Sequence, residues 1–259
     1  INTISIYNGQ DAQYIVFTIM DEKYAQYLLQ KTKDDYDLIA EEFSRTRPNL
    51  WSELFAVFKD YTRDGDKVLD VGCGNGRFLD LLGEKKIDYL GVDNSEEQIK
   101  QAQKKYPDRN FLVADILNLP FPDDSFDKVF LIAVLHHIPS RNLRIKVLNE
   151  LQRILKPGGH LLLTVWRPPL AEILKLISKY SFLKLIGKSK MDFGDVLVPW
   201  GSRVERYYHF FKKSEIVKLA SRAGFKTLKS EIVRNQTGKR SNLYYIGCKA
   251  NAPSLQARG

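Results

Sequence analysis

The sequence predicts an α/β protein built on an open parallel sheet with helices on both faces. Short apolar runs alternate with segments of helical periodicity for about a hundred residues after position 67. The segment 67–78, KVLDVGCGNGRF, joins a buried strand to a helix through glycines at positions 72, 74 and 76. Ligands of such sheets lie at the carboxyl ends of the strands, so this glycine turn predicts a ligand site.

The individual elements follow from apolar periodicity and from residues that begin or end helices. Predicted strands are Val68–Val71, Asp88–Val92, Asn110–Val113, Lys128–Ala133, His160–Val165, Lys226–Val233 and Leu243–Cys248. Predicted helices are Glu22–Phe43, Trp51–Phe58, Phe78–Lys85, Glu96–Lys105, Asn142–Leu155, Leu170–Ile186 and Ser214–Ala223. Pro48 ends the first helix, Ser95 and Gln98 form a capping box, and Gly224 ends the last helix.

The chain length allows one large domain or two small ones, and we interpret its 259 residues as one domain with insertions. Residues 1–30 form an N-terminal extension to which no function is assigned. A main domain covers residues 31–250, and residues 251–259 form a tail that we expect to be disordered. Residues 168–212 interrupt the strand–helix rhythm; they form either a lid over a cleft or a satellite helix packed on the sheet.

Cysteine and apolar content indicate the compartment. Cys73 and Cys248 can build neither a disulfide framework nor a zinc site, and no other metal site is expected. The longest apolar run, Val129–Leu135, is too short to span a membrane, and no secretory signal pattern opens the chain. We therefore expect a cytoplasmic protein with no membrane partner.

Basic residues concentrate near the end of the chain, within a net charge of +9. Residues 60–128 carry 15 acidic and 10 basic side chains, whereas residues 167–249 carry 6 acidic and 18 basic ones. A basic surface of this size is typical of proteins that bind a phosphate backbone. A solvated face of lysines without a partner has the same composition, and the two interpretations stay open at this point.

Acidic residues stand at the ends of three successive predicted strands. Asp70 precedes the glycines and can face a ligand ammonium, and Asp93 stands where an acid binds ribose hydroxyls. Asp115 follows the third strand, where it can accept from an adenine amino group while the Ile116 N–H serves a ring nitrogen. Any one of them alone is an ordinary turn former. Their order and spacing together indicate a nucleoside-containing cofactor.

These features resemble the class I S-adenosylmethionine methyltransferases over residues 36–249. The resemblance rests on VLDVGCGNGRF, YLGVDNS, VADILNLPF, FDKVFLIAVLHHI and LKPGGHLLLTVW. It implies a Rossmann-like seven-stranded sheet with a terminal reversed β-hairpin, and S-adenosylmethionine as the cofactor. The cofactor-binding residues assigned on this basis are Tyr36, Arg45, Asp70, Gly72, Cys73, Gly74, Gly76, Asp93, Asn94, Asp115, Ile116 and Ala133.

A narrower resemblance is to the tRNA carboxymethyluridine methyltransferases, including the domain that animals fuse to an AlkB-type dioxygenase. It rests on FSRTR, AVLHH, TVW, LVPW and RYYHFF. The resemblance implies methyl transfer to the carboxymethyl group of a wobble uridine in tRNA. It also implies a small zinc-ribbon activator protein as a partner.

The implied chemistry needs orientation more than proton transfer. A carboxymethyl group has a pKa near that of Asp, about 3.9, so at pH 7 it is already the nucleophile. We therefore assign positional catalytic roles, without a general base, to His137, Trp166 and Arg206. Residues assigned to the substrate are Arg47, Trp200, Tyr207, Tyr208 and His209.

Each of these assignments has a structural alternative. His137 can cap a strand end, Arg45 and Arg47 can be a solvated helix end, and clustered aromatic side chains commonly pack in a core. Two other functions also stay open: methylation of a small molecule such as a quinone or natural product, and a regulatory protein that binds the cofactor without catalysis. Arg77 occupies the third glycine position of the dinucleotide pattern, which disfavours a nicotinamide dehydrogenase.

Overall fold

The structure is a computed structural model that describes residues 3–6, 15–238 and 241–251. Its strands are β1 (Thr3–Ile6), β2 (Ile15–Thr18), β3 (Lys67–Val71), β4 (Asp88–Asp93), β5 (Asn110–Val113), β6 (Phe126–Ile132), β7 (Leu155–Arg167), β8 (Asp195–Trp200), β9 (Val204–His209), β10 (Phe225–Arg234) and β11 (Ser241–Lys249). Its helices are α1 (Glu22–Thr46), α2 (Ser52–Phe58), α3 (Leu79–Leu82), α4 (Glu96–Lys105), α5 (Arg141–Ile154), α6 (Leu170–Leu185) and α7 (Lys213–Arg222), with a 3₁₀ turn at Leu135–His137.

The central sheet has seven strands in the order β10-β11-β7-β6-β3-β4-β5. Neighbours from β7 to β5 are parallel, whereas β11 runs antiparallel to both β7 and β10. This confirms the predicted sheet and its terminal reversed hairpin. The strand order reverses at β3, so β4 follows on one side and β6 adjoins the other, and a crevice opens there at the carboxyl ends.

Alternate residues of the central strands enter two separate hydrophobic clusters. Leu69 and Val71 of β3 pack in a cluster with side chains of α1, α5 and α7, while Val68 packs with side chains of α2 and α3. Because successive side chains of a strand point to opposite faces, the two clusters lie on opposite faces of the sheet. The predicted coverage by helices on both faces is therefore confirmed.

Three local predictions differ from the structure. The helix expected at Phe78–Lys85 is a single turn, α3, because Gly83 follows in a left-handed conformation with φ of +58°. The strand predicted to begin at His160 begins at Leu155, and residues 156–159 form a bulge inside β7, where the β6 register moves from Leu155 to His160. The helix predicted at Ser214–Ala223 begins one residue earlier, because α7 starts at Lys213 after Lys212, which makes no side-chain cap hydrogen bond.

The predicted insertion, residues 168–212, contains α6 and an antiparallel hairpin of β8 and β9 outside the central sheet. Near the N-terminus, β1 and β2 form another two-stranded antiparallel sheet. Eight residues of the predicted tail, 252–259, lie outside the described residues. No helix in the described part of the chain is long and apolar enough to cross a membrane.

Candidate functional site

A cavity of about 680 Å³ lies over the carboxyl ends of β3, β4 and β6. The segments 70–77 and 93–98 form one side, which we call the cavity floor. The β8–β9 hairpin forms the opposite side, which we call the hairpin cover. Helix α1 and the 3₁₀ turn at Leu135–His137 contribute further walls. The volume is in the range of sites for drug-sized ligands, about 300 to 1,000 Å³.

Two positions of the turn, 72 and 74, require glycine for different structural reasons. At Gly72, with φ of +69°, a Cβ would stand 2.3 Å from Cγ2 of Val134, so the turn and the cavity wall touch through bare backbone. At Gly74, with φ of +53°, a Cβ would meet only Oε1 of Gln98, at 3.7 Å. A side chain at position 74 would therefore enter space that the cavity now offers to a ligand.

The backbone N–H groups of the turn are engaged within the protein. Gly72 and Cys73 donate to the carbonyl of Val92 at 2.7 and 2.9 Å, and Gly76 donates to the carbonyl of Cys73 at 3.0 Å. Gly74 donates to Oδ2 of Asp93 at 2.9 Å. The turn therefore serves a ligand through close approach of its backbone rather than through these four donors.

Asp70 is a buried carboxyl group at the start of the floor. Its side chain lines the cavity, and the Tyr89 hydroxyl donates to its Oδ2 at 3.1 Å. Burial raises the pKa of Asp70 to about 7, and the nearby charge of Asp93 acts in the same direction. A cationic ligand group beside Asp70 would relieve this cost of burial, so the carboxyl group suits an ammonium.

Asp93 also lines the cavity, and both of its oxygens accept backbone hydrogen bonds. Oδ1 accepts from Ser95 N at 2.9 Å, and Oδ2 accepts from Gly74 N. Burial raises the pKa of Asp93, while these two N–H groups oppose the shift. The bonds fix the orientation of the carboxylate and leave further lone pairs for hydroxyl donors. Asp93 thus forms the link between the glycine turn and α4.

Most of the other predicted cofactor residues line the cavity as well, namely Tyr36, Cys73, Asn94, Ile116 and Ala133. Ala133 adopts an uncommon left-handed conformation, with φ of +60°, where the chain leaves β6. Gly76 lies just outside the lining, beneath Tyr106 and Phe111. Asp115 is exposed outside the cavity, and its Oδ1 accepts from Leu117 N at 2.9 Å in the turn-forming arrangement.

A hydrogen-bonded chain connects α1, the 3₁₀ turn and the hairpin cover. Tyr36 Oη lies 2.9 Å from His137 Nε2 and 3.2 Å from Arg206 Nη1, and His137 Nδ1 lies 2.9 Å from the carbonyl oxygen of Tyr207. Because that carbonyl can only accept, Nδ1 carries the proton and Nε2 accepts from the tyrosine. Burial and the charge of Arg206 lower the pKa of His137 to about 3. His137 is therefore a neutral, fully engaged positioning group.

Arg206 is a buried guanidinium in the cavity wall, 7% exposed. Its Cζ lies 4.5 Å from the ring centroid of Trp200 and 5.2 Å from that of Tyr208. Its Nε is buried and has no hydrogen-bond partner, and no carboxylate oxygen of a described residue lies within 4.0 Å of it. Such a charge is costly unless an anion joins it, so the surroundings of Arg206 suit an anionic ligand group.

Aromatic rings complete the acceptor side of the cavity. Tyr208 stacks on His136 at a centroid distance of 4.8 Å and meets Trp166 edge-on at 5.3 Å. Trp166 N donates to His136 Nδ1 at 3.4 Å, which ties the end of β7 to the 3₁₀ turn. These rings offer flat apolar walls beside Arg206, suited to a planar ligand.

Two predicted substrate residues, Tyr207 and His209, lie outside the cavity. Side chains alternate along a strand, so Arg206 and Tyr208 face the cavity while Tyr207 and His209 face the protein interior. There, Arg144 donates to the Tyr207 hydroxyl at 3.0 Å, and His209 Nδ1 lies 2.6 Å from Asp195 Oδ1. The alternative of core packing therefore describes the positions of Tyr207 and His209.

An ionic cluster fixes the hairpin cover to the helices beneath it. Arg144, with a 2% exposed side chain, donates to Ile138 O at 2.9 Å and to Asp195 Oδ1 at 3.3 Å. His209 bridges Asp195 and Glu215, and its Nε2 lies 2.9 Å from Glu215 Oε1. The cluster joins α5, β8, β9 and α7, so it sets where the cavity-facing side of the hairpin lies.

The predicted arginines near the end of α1 lie in different environments. Arg47 lines the cavity, with its Cζ 4.9 Å from the ring centroid of Trp200, which lines it too. Arg45 is exposed and does not line the cavity, because α1 continues to Thr46 and turns this side chain toward solvent. Of these two arginines, only Arg47 lines the cavity, and the cofactor role of Arg45 stays a prediction.

Two polar residues of the floor were not predicted to bind a ligand. Arg77 and Gln98 line the cavity, and Arg77 Nη1 and both amide atoms of Gln98 are buried without a hydrogen-bond partner. Gln98 was predicted only as part of a capping box; the Ser95 cap is confirmed, but the Gln98 side chain does not reach back to it. Arg77 could have been predicted as a ligand-binding residue, because it is a charged residue directly after the glycine turn.

The floor fits a ligand that joins a nucleoside to an amino acid. It combines a cradle at Gly74, a carboxylate oriented toward the cavity at Asp93 and a buried carboxyl group at Asp70. In the described residues, no group of three or more His, Cys, Asp and Glu side chains is arranged to hold a metal ion.

Comparison with known proteins identifies methyltransferases. A family model described as a methyltransferase domain matches residues 69–163. A protein of Encephalitozoon cuniculi, named as a candidate methyltransferase, is 34% identical over 196 residues, which make up 74% of this chain and 86% of that protein.

Two further relatives are the tRNA (carboxymethyluridine(34)-5-O)-methyltransferases of Arabidopsis thaliana and Saccharomyces cerevisiae. They are 42% and 39% identical over 131 and 132 residues, in each case 51% of this chain. The matches cover 31% of the Arabidopsis protein and 46% of the yeast protein, so this chain spans less than half of either.

Solved structures share the fold. A SAM-dependent methyltransferase of Methanosarcina mazei has a TM-score of 0.65 at 23% identity and covers 79% of this chain and 100% of its own. A chain from the complex between the Haloferax volcanii Trm112 methyltransferase activator and a candidate methyltransferase has a TM-score of 0.64 at 20% identity, covering 85% of this chain and 98% of its own.

Proposed function

Because this chain belongs to the class I S-adenosylmethionine-dependent methyltransferases, with S-adenosylmethionine as its cofactor, we propose that it methylates the carboxymethyl group of a wobble uridine in tRNA. One observation carries the choice of acceptor. Arg206 presents a buried guanidinium to the cavity without a carboxylate partner in the described residues. An acceptor that brings its own carboxylate would satisfy this charge, whereas a neutral acceptor would leave it unpaired.

The proposed reaction needs a held carboxylate rather than a base. When bound, S-adenosylmethionine supplies a methyl group already activated by its sulfonium. Arg206 binds and orients the acceptor carboxylate through charge-assisted hydrogen bonds, and its bond to Tyr36 fixes the guanidinium. His137 stays neutral at pH 7 and holds the Tyr36 hydroxyl. Such orientation can supply about 7 to 11 kcal/mol in favourable cases.

The aromatic walls support a nucleobase as the body of the acceptor. Trp166, Trp200 and Tyr208 border the cavity around Arg206, and Arg47 lies at the same side. We assign stacking on the base to these rings and contact with a backbone phosphate to Arg47. In this proposal, the segment 168–212 is an insertion in the predicted 31–250 domain, and its hairpin cover contacts the acceptor.

We further propose cytoplasmic location and a partner. Cys73 and Cys248 are both free thiols, as expected of a protein in a reducing compartment. The resemblance to the tRNA carboxymethyluridine methyltransferases implies a small zinc-ribbon activator protein. Activity measurements on this chain should therefore be made with and without such a protein.

The direct test is transfer of label from S-adenosylmethionine to tRNA that carries carboxymethyluridine, in the presence of the activator. We expect the label in the wobble nucleoside, identified by mass spectrometry, and tRNA binding that weakens steeply with salt. Absence of label from that nucleoside would refute the acceptor. Turnover of a free small carboxylic acid without RNA, with little effect of salt, would support the small-molecule alternative.

A matched pair of acceptors tests the role of Arg206. A tRNA with carbamoylmethyluridine has the same shape without the negative charge. We expect the native chain to bind the carboxymethyl form at least about tenfold more tightly than the carbamoylmethyl form. Arg206→Met should remove this preference while leaving affinity for S-adenosylhomocysteine within about threefold. Arg222→Met, at an exposed position on α7, is the matched control and should keep the preference.

A further inference from the structure

We propose that Arg77 binds the α-carboxylate of the cofactor's methionine portion, and that Arg77 and Asp70 together form a receptor for its zwitterionic end. The proposal concerns the cofactor and rests on the family assignment alone. It is therefore independent of the tRNA acceptor. It also differs from the sequence prediction, which gave a cofactor role to Arg45.

Arg77 is a partly buried charge without a carboxylate partner among the described residues. Its Nη1 is buried and makes no hydrogen bond, and no carboxylate oxygen among the described residues lies within 4.0 Å of its side-chain nitrogens. The guanidinium is held instead between two rings, with Cζ 4.9 Å from the centroid of Trp51 and 5.4 Å from that of Phe43. Stacking fixes the plane of the guanidinium and leaves its donors free for an anion.

The electrostatic surroundings favour an anion at this position. Burial lowers the pKa of Arg77 to about 10, and the charge of Arg47 acts in the same direction. The group is still charged at neutral pH, so its desolvation has no compensation from a described carboxylate at contact distance. An anionic ligand group would supply that compensation.

The position of Arg77 selects the amino-acid end of the cofactor. Asp70 and Arg77 stand at the two ends of the same glycine turn, both line the cavity, and each charge shifts the pKa of the other. Yet no nitrogen of Arg77 lies within 4.0 Å of a carboxylate oxygen of Asp70, so the two residues form no ion pair. Two opposite charges that are close but unpaired match a ligand with adjacent ammonium and carboxylate groups.

The other arginines of this region are less suited to the same group. Arg45 is exposed outside the cavity lining, and Arg206 belongs to the hairpin cover, where its Nη1 donates to the Tyr36 hydroxyl at 3.2 Å. Arg47 lines the cavity but is exposed, and it stacks on Trp200 rather than on the turn. Arg77 alone among these four directly follows the glycines.

The proposal predicts selectivity for the carboxylate of the cofactor. S-Adenosylhomocysteine has both the ammonium and the carboxylate of the amino acid. Decarboxylated S-adenosylmethionine keeps the ammonium that Asp70 would bind and lacks the carboxylate that Arg77 would bind. Calorimetry on the full chain without tRNA measures both affinities. In Arg77→Met we expect a loss of about 30-fold or more for S-adenosylhomocysteine and a change within about threefold for the decarboxylated compound.

Three other variants decide between the possible receptors. Arg77→Lys keeps the charge without the planar fork and should lose an intermediate part of the affinity for S-adenosylhomocysteine. Arg222→Met should change neither affinity. The proposal is overturned if Arg77→Met weakens both ligands equally, or if Arg47→Met removes the selectivity and Arg77→Met keeps it. Thermal unfolding checks each variant, and Arg77→Lys gives the answer if Arg77→Met does not fold.

Discussion

The cavity floor and the hairpin cover are built in different ways. The floor is fixed by bonds at the ends of two adjacent parallel strands: Gly74 N to Asp93 Oδ2 joins the segment after β3 to the end of β4, and Ser95 N to Asp93 Oδ1 is local to the second. The cover is fixed by bonds between distant parts of the chain, such as Tyr36 to Arg206 and Arg144 to Asp195. The floor follows from the strand–turn–helix pattern, whereas the cover depends on the completed tertiary structure.

This difference assigns separate tasks to the two sides. The floor uses glycines and strand-end carboxylates, which any ligand with a nucleoside and an amino acid could employ. The cover brings a guanidinium and aromatic rings to the same cavity, and these groups determine what else can enter. Variants of the two sides should therefore separate cofactor affinity from acceptor preference and from the stability of the hairpin.

The largest effect is expected from the ionic cluster beneath the cover. Arg144→Met removes the buried arginine that pairs with Asp195, so the free energy of unfolding should fall by about 3 to 5 kcal/mol. Urea unfolding measures the loss. The exposed Arg141→Met on the same helix is the control and should change stability by less than about 0.5 kcal/mol.

A second substitution tests whether the loss comes from the unpaired charge. The double variant Arg144→Met/Asp195→Leu removes both charges of the pair and should recover part of the stability. If Arg144→Met alone unfolds with a loss below about 1 kcal/mol, the cluster does not hold the cover.

The next largest effect is expected at the floor. Gly74→Leu fills the cradle and should weaken S-adenosylhomocysteine binding by about 100-fold or more, while the fold is kept. Gly65→Leu is a matched control, because Gly65 also has a left-handed backbone, with φ of +85°, but lies outside the cavity with open space around it. Both variants bear similar backbone strain, and equal affinity losses would contradict this placement of the cofactor.

The pH dependence of cofactor affinity tests Asp70. Its pKa is raised to about 7, so below pH 7 the free protein holds a proton that must leave before the carboxylate can bind an ammonium. Affinity for S-adenosylhomocysteine should therefore be about tenfold weaker at pH 6 than at pH 8. Calorimetry in buffers of different ionisation enthalpy should find about one proton released at pH 6. Asp70→Asn should bind weakly at both pH values, and an unchanged pH dependence in that variant would assign the proton elsewhere.

The smallest effect is expected at the cap of α4. Ser95 Oγ accepts from Gln98 N at 3.1 Å and donates to Asp37 Oδ1 at 2.6 Å, which joins the floor to α1. Ser95→Ala should reduce the free energy of unfolding by about 1 kcal/mol. The loss in the double variant should be smaller than the sum of the losses of Ser95→Ala and Asp37→Ala, because both remove the Ser95–Asp37 bond. Additive losses would show that the two residues act independently.

Much of the fold could be predicted because its signals are local. Apolar runs, Ser95 as a cap and glycines after β3 depend on neighbours in sequence, and the structure has the corresponding elements. Positions that depend on partners distant in sequence could not be predicted in the same way. Asp115 is an example: its exposed side chain accepts from Leu117 N and does not line the cavity, and its cofactor contact stays a prediction.

The predicted acceptor residues show the same limit. Four successive residues, Arg206 to His209, were all assigned to the site, but strand alternation places Arg206 and Tyr208 at the cavity and places Tyr207 and His209 in the ionic cluster. The sequence pattern alone could not specify that this segment is a strand of a separate hairpin. Without that knowledge, neighbouring side chains could not be divided between the two faces.

By itself, the sequence determined the parallel sheet, the glycine turn and the strand-end acids, because these depend on local conformation and on the order of elements along the chain. Only the tertiary structure decided which charged groups lie near each other without pairing. Arg77 and Arg206 acquire their importance from buried donors that lack partners, and burial is a property of the packed molecule.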